Sequence, residues 1–397
     1  MSGASDGTDG HDERMRRWRL VLGGGPADGT GVPLAGDDAR MDGALERLYG
    51  GDSGERRARP GRRGAGLGDS APSVARWLGD VRACFPSTVV QIMQRDAIER
   101  LDLARLLLEP EMLDAVEPDV HLVGTLLALN TVLPDRARES ARAVVRRVAD
   151  DLERRLAQRT RSAVGAALDR SARTARPARA ADVDWERTVR ANLRHYLPDR
   201  GTIVPERLVG HGRRGRAALR DVVLCVDQSG SMAASVVFAG VFGAALASLR
   251  SLRTSLVAFD TSVVDLTGRL HDPVDVLFGT QLGGGTDIGR ALAYCAELIT
   301  RPSSTVLVLI SDLFEGGSRD ELLRRAAALT SSGVRVVVLL ALSDDGTPAH
   351  DHGNAAALAA LGVPAFACTP DAFPDLMAAA VEGRDLRGFA GGGRTPG

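Results

Sequence analysis

From Asp221 onward the chain alternates short, unbroken apolar runs with longer amphipathic stretches. That texture restricts it to a mainly parallel sheet with helices on both faces. The run Val222-Val223-Leu224-Cys225-Val226 shows no polar alternation, so both faces of that strand must be covered. Further strands are expected at 255–259, 263–266, 305–310, 334–342 and 365–368, separated by helices at 232–250, 288–299, 320–330 and 354–361, with a last helix after Pro374. This βαβ succession predicts an α/β fold, a doubly wound sheet of Rossmann-like topology over residues 221–385.

The chain has 397 residues, 44% of them hydrophobic, enough for more than one core. Residues 73–170 read as helical throughout, punctuated at Pro86, Pro110, Pro118 and Pro134, each a helix start or stop. Val89, Ile92, Met93 and Ala97 recur at helical spacing, as do Val144, Val145, Val148, Leu152 and Leu156 on a long helix from Asp135. An all-helical domain is therefore expected over 73–182. A connector at 183–220, with a helix from Trp185 to Tyr196, would lead to the sheet. Residues 1–72 read as largely flexible apart from a short helix at 38–49. Gly23-Gly24-Gly25-Pro26 fails the dinucleotide-binding spacing, because Asp28 stands where the last glycine belongs. The arginine-rich 50–71 and 171–181 stretches and the 386–397 tail lack the apolar residues to order themselves.

Composition excludes several function classes. Lysine is absent, every basic side chain is arginine or histidine, and the formal net charge is −1. Arg146, Arg147, Arg154 and Arg155 are interleaved with Asp150, Asp151 and Glu153, which predicts a solvated helix face. With aromatics at 4%, no nucleic-acid surface is expected. Cys84, Cys225, Cys295 and Cys368 show no metal or redox spacing and read as free thiols of a reducing compartment. A polar N-terminus and no apolar run approaching about 18 residues predict a cytoplasmic protein without a membrane segment.

The first strand of the sheet ends in Asp227-Gln228-Ser229-Gly230-Ser231. Asp227, Ser229 and Ser231 fall at alternate positions, and Gly230 lets the turn aim three oxygens at one point. Hard oxygen donors of this kind suit Mg²⁺ or Mn²⁺. Two later segments repeat the theme: Thr286, after Gly283-Gly284-Gly285, and Asp312, at the end of Leu309-Ile310-Ser311-Asp312. Ligands of open α/β sheets bind beyond the carboxyl ends of the strands, where strand order reverses. The first and fourth strands flank that point, so Asp227 and Asp312 are expected to meet. Asp260, Asp287 and Glu315 read as cap or turn residues, and His350-Asp351-His352 as a surface loop.

Asp227-x-Ser229-x-Ser231 followed by Thr286 and Asp312 resembles the metal-ion-dependent adhesion site (MIDAS) of von Willebrand factor A (VWA) domains. The wider wording, Val226 to Met232 and Ile310-Ser311-Asp312-Leu313-Phe314-Glu315-Gly316-Gly317, is similar to bacterial CoxE-like proteins associated with MoxR-type AAA+ ATPases. The resemblance spans residues 221 to about 380. It implies a bound Mg²⁺ or Mn²⁺ contacted directly by Ser229, Ser231 and Thr286, with the aspartates acting through water. It further implies a protein partner, a MoxR-type ATPase, supplying an Asp or Glu to the ion, and hence an adaptor or co-chaperone and not an enzyme. The alternative is a Mg²⁺-dependent hydrolase on the same fold class. Against that, Ser229 stands where a haloacid-dehalogenase-type phosphatase needs its second Asp, and no Walker loop or Ser-His-Asp order is present.

Overall fold

The computed structural model describes residues 15–16, 19–20, 33–49, 71–100, 107–171, 183–209, 220–280, 283–344 and 349–389. Of the expected flexible stretches, 1–10, most of 50–71 and of 171–181, the Gly23–Pro26 loop and the tail beyond 389 lie outside those residues, but their described ends are ordered: Ala71 opens a helix, Ser171 closes one, and Leu386 is buried ahead of a 3-10 turn at Arg387–Phe389. The chain divides into two compact units, residues 1–147 and 148–397.

The first unit is helical: α1 (Asp37–Tyr49), α2 (Ala71–Cys84), α3 (Ser87–Arg100), α4 (Pro110–Ala115), α5 (Val120–Ala128) and most of α6 (Asp135–Leu152). Proline opens α4 and precedes α3 and α6, where its missing N–H costs nothing. Asp119 caps α5 by accepting from Leu122 N–H at 2.6 Å. The core includes Leu48, Trp77, Val81, Met93, Leu113, Leu122 and Leu126. Within it, the Trp77 indole donates to the Ala44 carbonyl at 3.1 Å. The buried face of α3 is Val90, Met93, Gln94 and Ala97, whereas Ile92, expected inside, is 51% exposed. Gln94 sets this rotation: its amide both accepts from Glu117 N–H at 2.8 Å and donates to Glu117 C=O at 3.0 Å. A polar side chain that satisfies a buried backbone pair can thus displace an isoleucine from the core face.

The second unit begins inside α6, which continues through a π turn (Glu153–Ala157) into α7 (Gln158–Ser171). Helix α7 packs on the C-terminal helix of the chain, and the π turn and α7 both pack on the first helix after Asp227. Residues 148–171 therefore belong with the sheet, a different division from the expected 73–182 helical domain. The apolar spacing of a long helix announces a buried face but not which neighbour covers each turn. The next helix, α8 (Trp185–Ala191), is shorter than expected. A 3-10 turn and a hairpin of β1 (Tyr196–Leu197) and β2 (Thr202–Ile203) take up the remainder, the latter turning at Gly201 (φ 56°). Thr188 on α8 and Asn192 at its C-terminal cap bind the returning backbone at 206–209 instead.

Strands β3 (Arg220–Asp227), β4 (Leu252–Phe259), β5 (Val263–Asp265), β6 (Thr305–Ile310), β7 (Arg335–Leu342) and β8 (Ala365–Cys368) form one sheet in the order β5-β4-β3-β6-β7-β8. All neighbours are parallel except β4 and β5. The expected doubly wound sheet is present, and strand order reverses at β3, which pairs with both β4 and β6. Flanking it are α9 (Ala233–Ala247), α10 (Pro273–Leu277), α11 (Ile288–Leu298), α12 (Arg319–Ser331), α13 (His352–Ala360) and α14 (Phe373–Glu382). Alternate strand residues divide between two cores. Val223, Cys225, Val257, Leu307 and Leu309 pack with α11, α12 and α13. The opposite face, with Leu224 and Leu256, meets α9.

Helix α9 is buried at almost every position from Ser235 to Leu246. Over Gly230–Ala247 it reaches a mean hydropathy of 1.8, so the expectation of no apolar run near 18 residues does not hold. By length and composition this helix, alone among the described residues, could cross a membrane. With 67% of that window buried inside the chain, it behaves as a core helix. Phe242 on α9 stacks against Phe373 of α14 at 4.3 Å.

Candidate functional site

The site is built where β3 and β6 end side by side. Asp227, the last residue of β3, is fully buried; its Oδ1 accepts from Ser229 N–H at 2.8 Å and its Oδ2 from the Ser311 hydroxyl at 2.8 Å. The turn bends over a short 3-10 segment, Gly230–Met232, before α9. That bend brings the Ser229 and Ser231 hydroxyls within 3.3 Å of each other, and Ser231 Oγ donates to Asp312 Oδ2 at 2.7 Å. Asp312 is 4% exposed and its Oδ1 accepts from Phe314 N–H at 3.3 Å. Four of the five expected residues, Asp227, Ser229, Ser231 and Asp312, thus form one hydrogen-bonded cluster.

Thr286 reaches the same end of the sheet through its backbone. Gly283 N–H donates to Gln228 C=O at 3.1 Å, Asp287 N–H to Asp260 C=O at 2.9 Å, and Gly316 N–H to Thr286 C=O at 2.8 Å. Gly284 holds φ 105° here, and a Cβ on Gly316 would come within 2.9 Å of the Thr286 carbonyl, so this packing needs glycine at both places. The Thr286 side chain is buried but makes no hydrogen bond to the other four residues. Asp287 caps α11 through Arg290 N–H at 2.8 Å, and Glu315 adds a second carboxylate there, accepting from Ile288 N–H at 3.0 Å and Gly317 N–H at 2.9 Å. Asp260 accepts from Ser262 in a tight turn, and Asp351 caps α13 while His350 and His352 stack edge-on at 4.2 Å. These are the cap, turn and loop roles read from the sequence.

Among the described residues no arginine or histidine pairs with Asp227 or Asp312. Burial, aided by the nearby Asp312 charge, pushes the Asp227 carboxyl above the ordinary aspartate range, and hydrogen bonds from Ser229 and Ser311 only partly offset it. Burial likewise raises Glu315.

Residues 152–377, more than half of the chain, match the family described as VWA domain containing CoxE-like protein. The chain belongs to that family. It is also 37% identical over 357 residues to the uncharacterized protein YehP of Escherichia coli (strain K12), covering 90% of this chain and 93% of YehP. Among solved structures, an aerotolerance-related membrane protein from Bacteroides fragilis NCTC 9343 is 14% identical. It covers 41% of this chain and 99% of its own, at a TM-score of 0.31. The Deinococcus radiodurans RO (RSR) protein is 13% identical over 94% of this chain and 74% of its own, at a TM-score of 0.32. Likenesses this slight carry no functional argument.

In this CoxE-like VWA unit the residue that sequence reasoning missed is Ser311. Its hydroxyl donates to Asp227 and accepts from Leu313 N–H at 3.0 Å, so it ties the end of β3 to the turn after β6. The signal was present, a serine directly before the strand-ending Asp312, but a serine inside an apolar strand end reads as an ordinary core hydroxyl. Leu313 is the second omission: it sits at φ 64°, which no local sequence cue announces for leucine.

Proposed function

We propose that this CoxE-like VWA protein is a non-catalytic interaction module that binds a partner protein through a divalent cation. The carrying observation is the pair of buried carboxylates, Asp227 and Asp312, clustered with two serine hydroxyls and lacking a cationic side chain. The donor set fits Mg²⁺ or Mn²⁺: all hard oxygens, two of them anionic, at the topological switch point of the sheet. Ser229, Ser231 and Thr286 would hold the ion directly, with Asp227 and Asp312 balancing its charge. When bound, the ion supplies a positive centre that a carboxylate can approach. The chain orients the hydroxyls, holds the two carboxylates side by side and presents the open side of the cluster to a partner.

On the strength of the family resemblance the partner is a MoxR-type AAA+ ATPase offering an Asp or Glu, and the protein acts as its adaptor or co-chaperone. We place it in the cytoplasm because its four cysteines are free thiols. The test is affinity capture from native cells with Mg²⁺ and with EDTA, using wild type and Asp227→Ala. An AAA+ ATPase retained only by wild type in Mg²⁺ is the expected result. Capture indifferent to both EDTA and Asp227→Ala sinks the proposal. Phosphate-ester turnover that disappears with Asp227→Ala, with no metal-sensitive partner, leaves the hydrolase in its place.

A further inference from the structure

Among the described non-glycine residues only Leu313 has a left-handed backbone, φ 64°. For a residue with a Cβ that conformation is strained. The surroundings hold it in place. Leu313 N–H donates to Ser311 Oγ, and its carbonyl accepts from the Asn354 amide at 3.0 Å. Asn354 is itself buried, and its N–H donates to Asp351 Oδ1 at 2.8 Å. Asp351 N–H in turn donates to the Asp312 carbonyl at 2.9 Å. The result is a turn that sends the Leu313 side chain wholly into the core and puts the next residue, Phe314, outside with 51% of its surface exposed.

Phe314 is not on a loose loop. Its own N–H is on Asp312, and the residue after it, Glu315, is fixed to the N-terminus of α11. Singly exposed apolar residues are ordinary on protein surfaces. Here, however, the described part of residues 220–389 exposes one large apolar side chain only, and it stands two positions from Asp312, presented by a strained backbone. The rest of the rim is small or polar, with Gly230, Ser231, Thr261, Gly283, Gly284 and Gly285 all exposed. Strain of this kind persists where the surroundings over-determine it, and it clusters at binding sites.

We infer that Phe314 is the apolar half of a two-part recognition surface. A partner's carboxylate meets the cation at the Asp227–Asp312 cluster, while an apolar side chain within a few residues of that carboxylate packs on Phe314. The partner is therefore a protein segment carrying an Asp or Glu close to a leucine, phenylalanine or similar residue. This rests on the metal-docking reading above and adds the side chain that selects among acidic partners.

The probes are synthetic octapeptides of Gly and Ser with one central Asp, with or without a Leu one to three positions away, titrated in Mg²⁺ and in EDTA. Full-length wild type, Phe314→Ser and Phe314→Leu are compared. Wild type should bind the Asp-plus-Leu peptides about tenfold more tightly than Asp-only ones in Mg²⁺, the scale of an aromatic hot-spot contact. Phe314→Ser should lose that preference and Phe314→Leu keep most of it. The Mg²⁺-induced rise in melting temperature should be the same in all three, because an exposed side chain supports neither the core nor the ion. Mg²⁺-dependent binding of Asp peptides that ignores the neighbouring Leu, or a preference that survives Phe314→Ser, overturns the role of Phe314 and leaves the metal-docking reading intact. No Mg²⁺-dependent binding of any Asp peptide by wild type brings down both.

Discussion

Strand β3 carries a buried aspartate near each end, and the two are treated in opposite ways. Asp221, near the amino end, is 2% exposed and is gripped by the Arg301 guanidinium through Nη2 and Nε, the latter at 3.2 Å, and by Arg253 at 3.2 Å. Arg253 also donates to Thr300 Oγ1 at 3.0 Å, so the arrangement is a closed network. Asp227, at the carboxyl end, is more deeply buried, yet its partners are the Ser229 backbone N–H and the neutral Ser311 hydroxyl. A buried charge is ordinarily paired. One end of the strand obeys that rule within the chain; the other keeps a net negative charge beside a second carboxylate. The contrast separates a carboxylate paired within the chain from one left without a cationic partner among the described residues, which is the difference the proposed cation site relies on.

The comparison can be broken most forcefully at the amino end. Replacing Arg253 and Arg301 together by Ala strands Asp221, and should cost about 3 kcal/mol in urea unfolding, at the low end for a broken buried pair because both guanidiniums are partly in solvent. A loss below about 1 kcal/mol would mean the closed end is not held by charge at all. At the carboxyl end, Mg²⁺ at about 100 times its dissociation constant should stabilise wild type by about 2.7 kcal/mol and leave Asp227→Ala unmoved. Coincident melts in Mg²⁺ and EDTA would erase the difference between the two aspartates.

Asp227→Asn sharpens the contrast further. In EDTA it should stabilise the protein at neutral pH by about 1–2 kcal/mol, by removing a buried charge held by hydrogen bonds alone. The pH dependence has a definite sign. A carboxyl whose pKa is raised in the folded state contributes most below its unfolded value, and that contribution is lost as pH rises through the folded one. In EDTA the advantage of Asp227→Asn should therefore open as pH climbs from about 4 upward; an advantage that shrinks over that range contradicts the assignment. The smallest effect is expected from Ser231→Ala in EDTA. It loses one hydrogen bond to Asp312 at an exposed hydroxyl, about 0.5–1 kcal/mol by thermal unfolding.

The sheet was legible because its strands are too apolar to be anything else, and the meeting of Asp227 with Asp312 followed from strand order. Elements governed by polar side chains were not legible. Gln94 turned α3 away from the expected Ile92 face, and Thr188 with Asn192 ended α8 early by binding the chain that returns past it. The division at 147/148 falls inside a helix and has no sequence mark, because α6, the π turn and α7 form one continuous helical run whose partners change along its length. At the site, alternation of Asp227, Ser229 and Ser231 gave the cluster. The hydroxyl of Ser311 and the backbone of Leu313 depend on contacts with distant residues such as Asn354.

Helix α9 has a consequence for how the chain is made. It is apolar on all sides, and parts of its cover, β7 and the Phe373 ring of α14, lie far downstream in the sequence. A ribosome releases such a helix well before the segments that shield it, and no polar face allows it to wait in water. The nascent chain therefore exposes a greasy cylinder until the strands and helix that cover it emerge, which makes the folding of this unit depend on late closure.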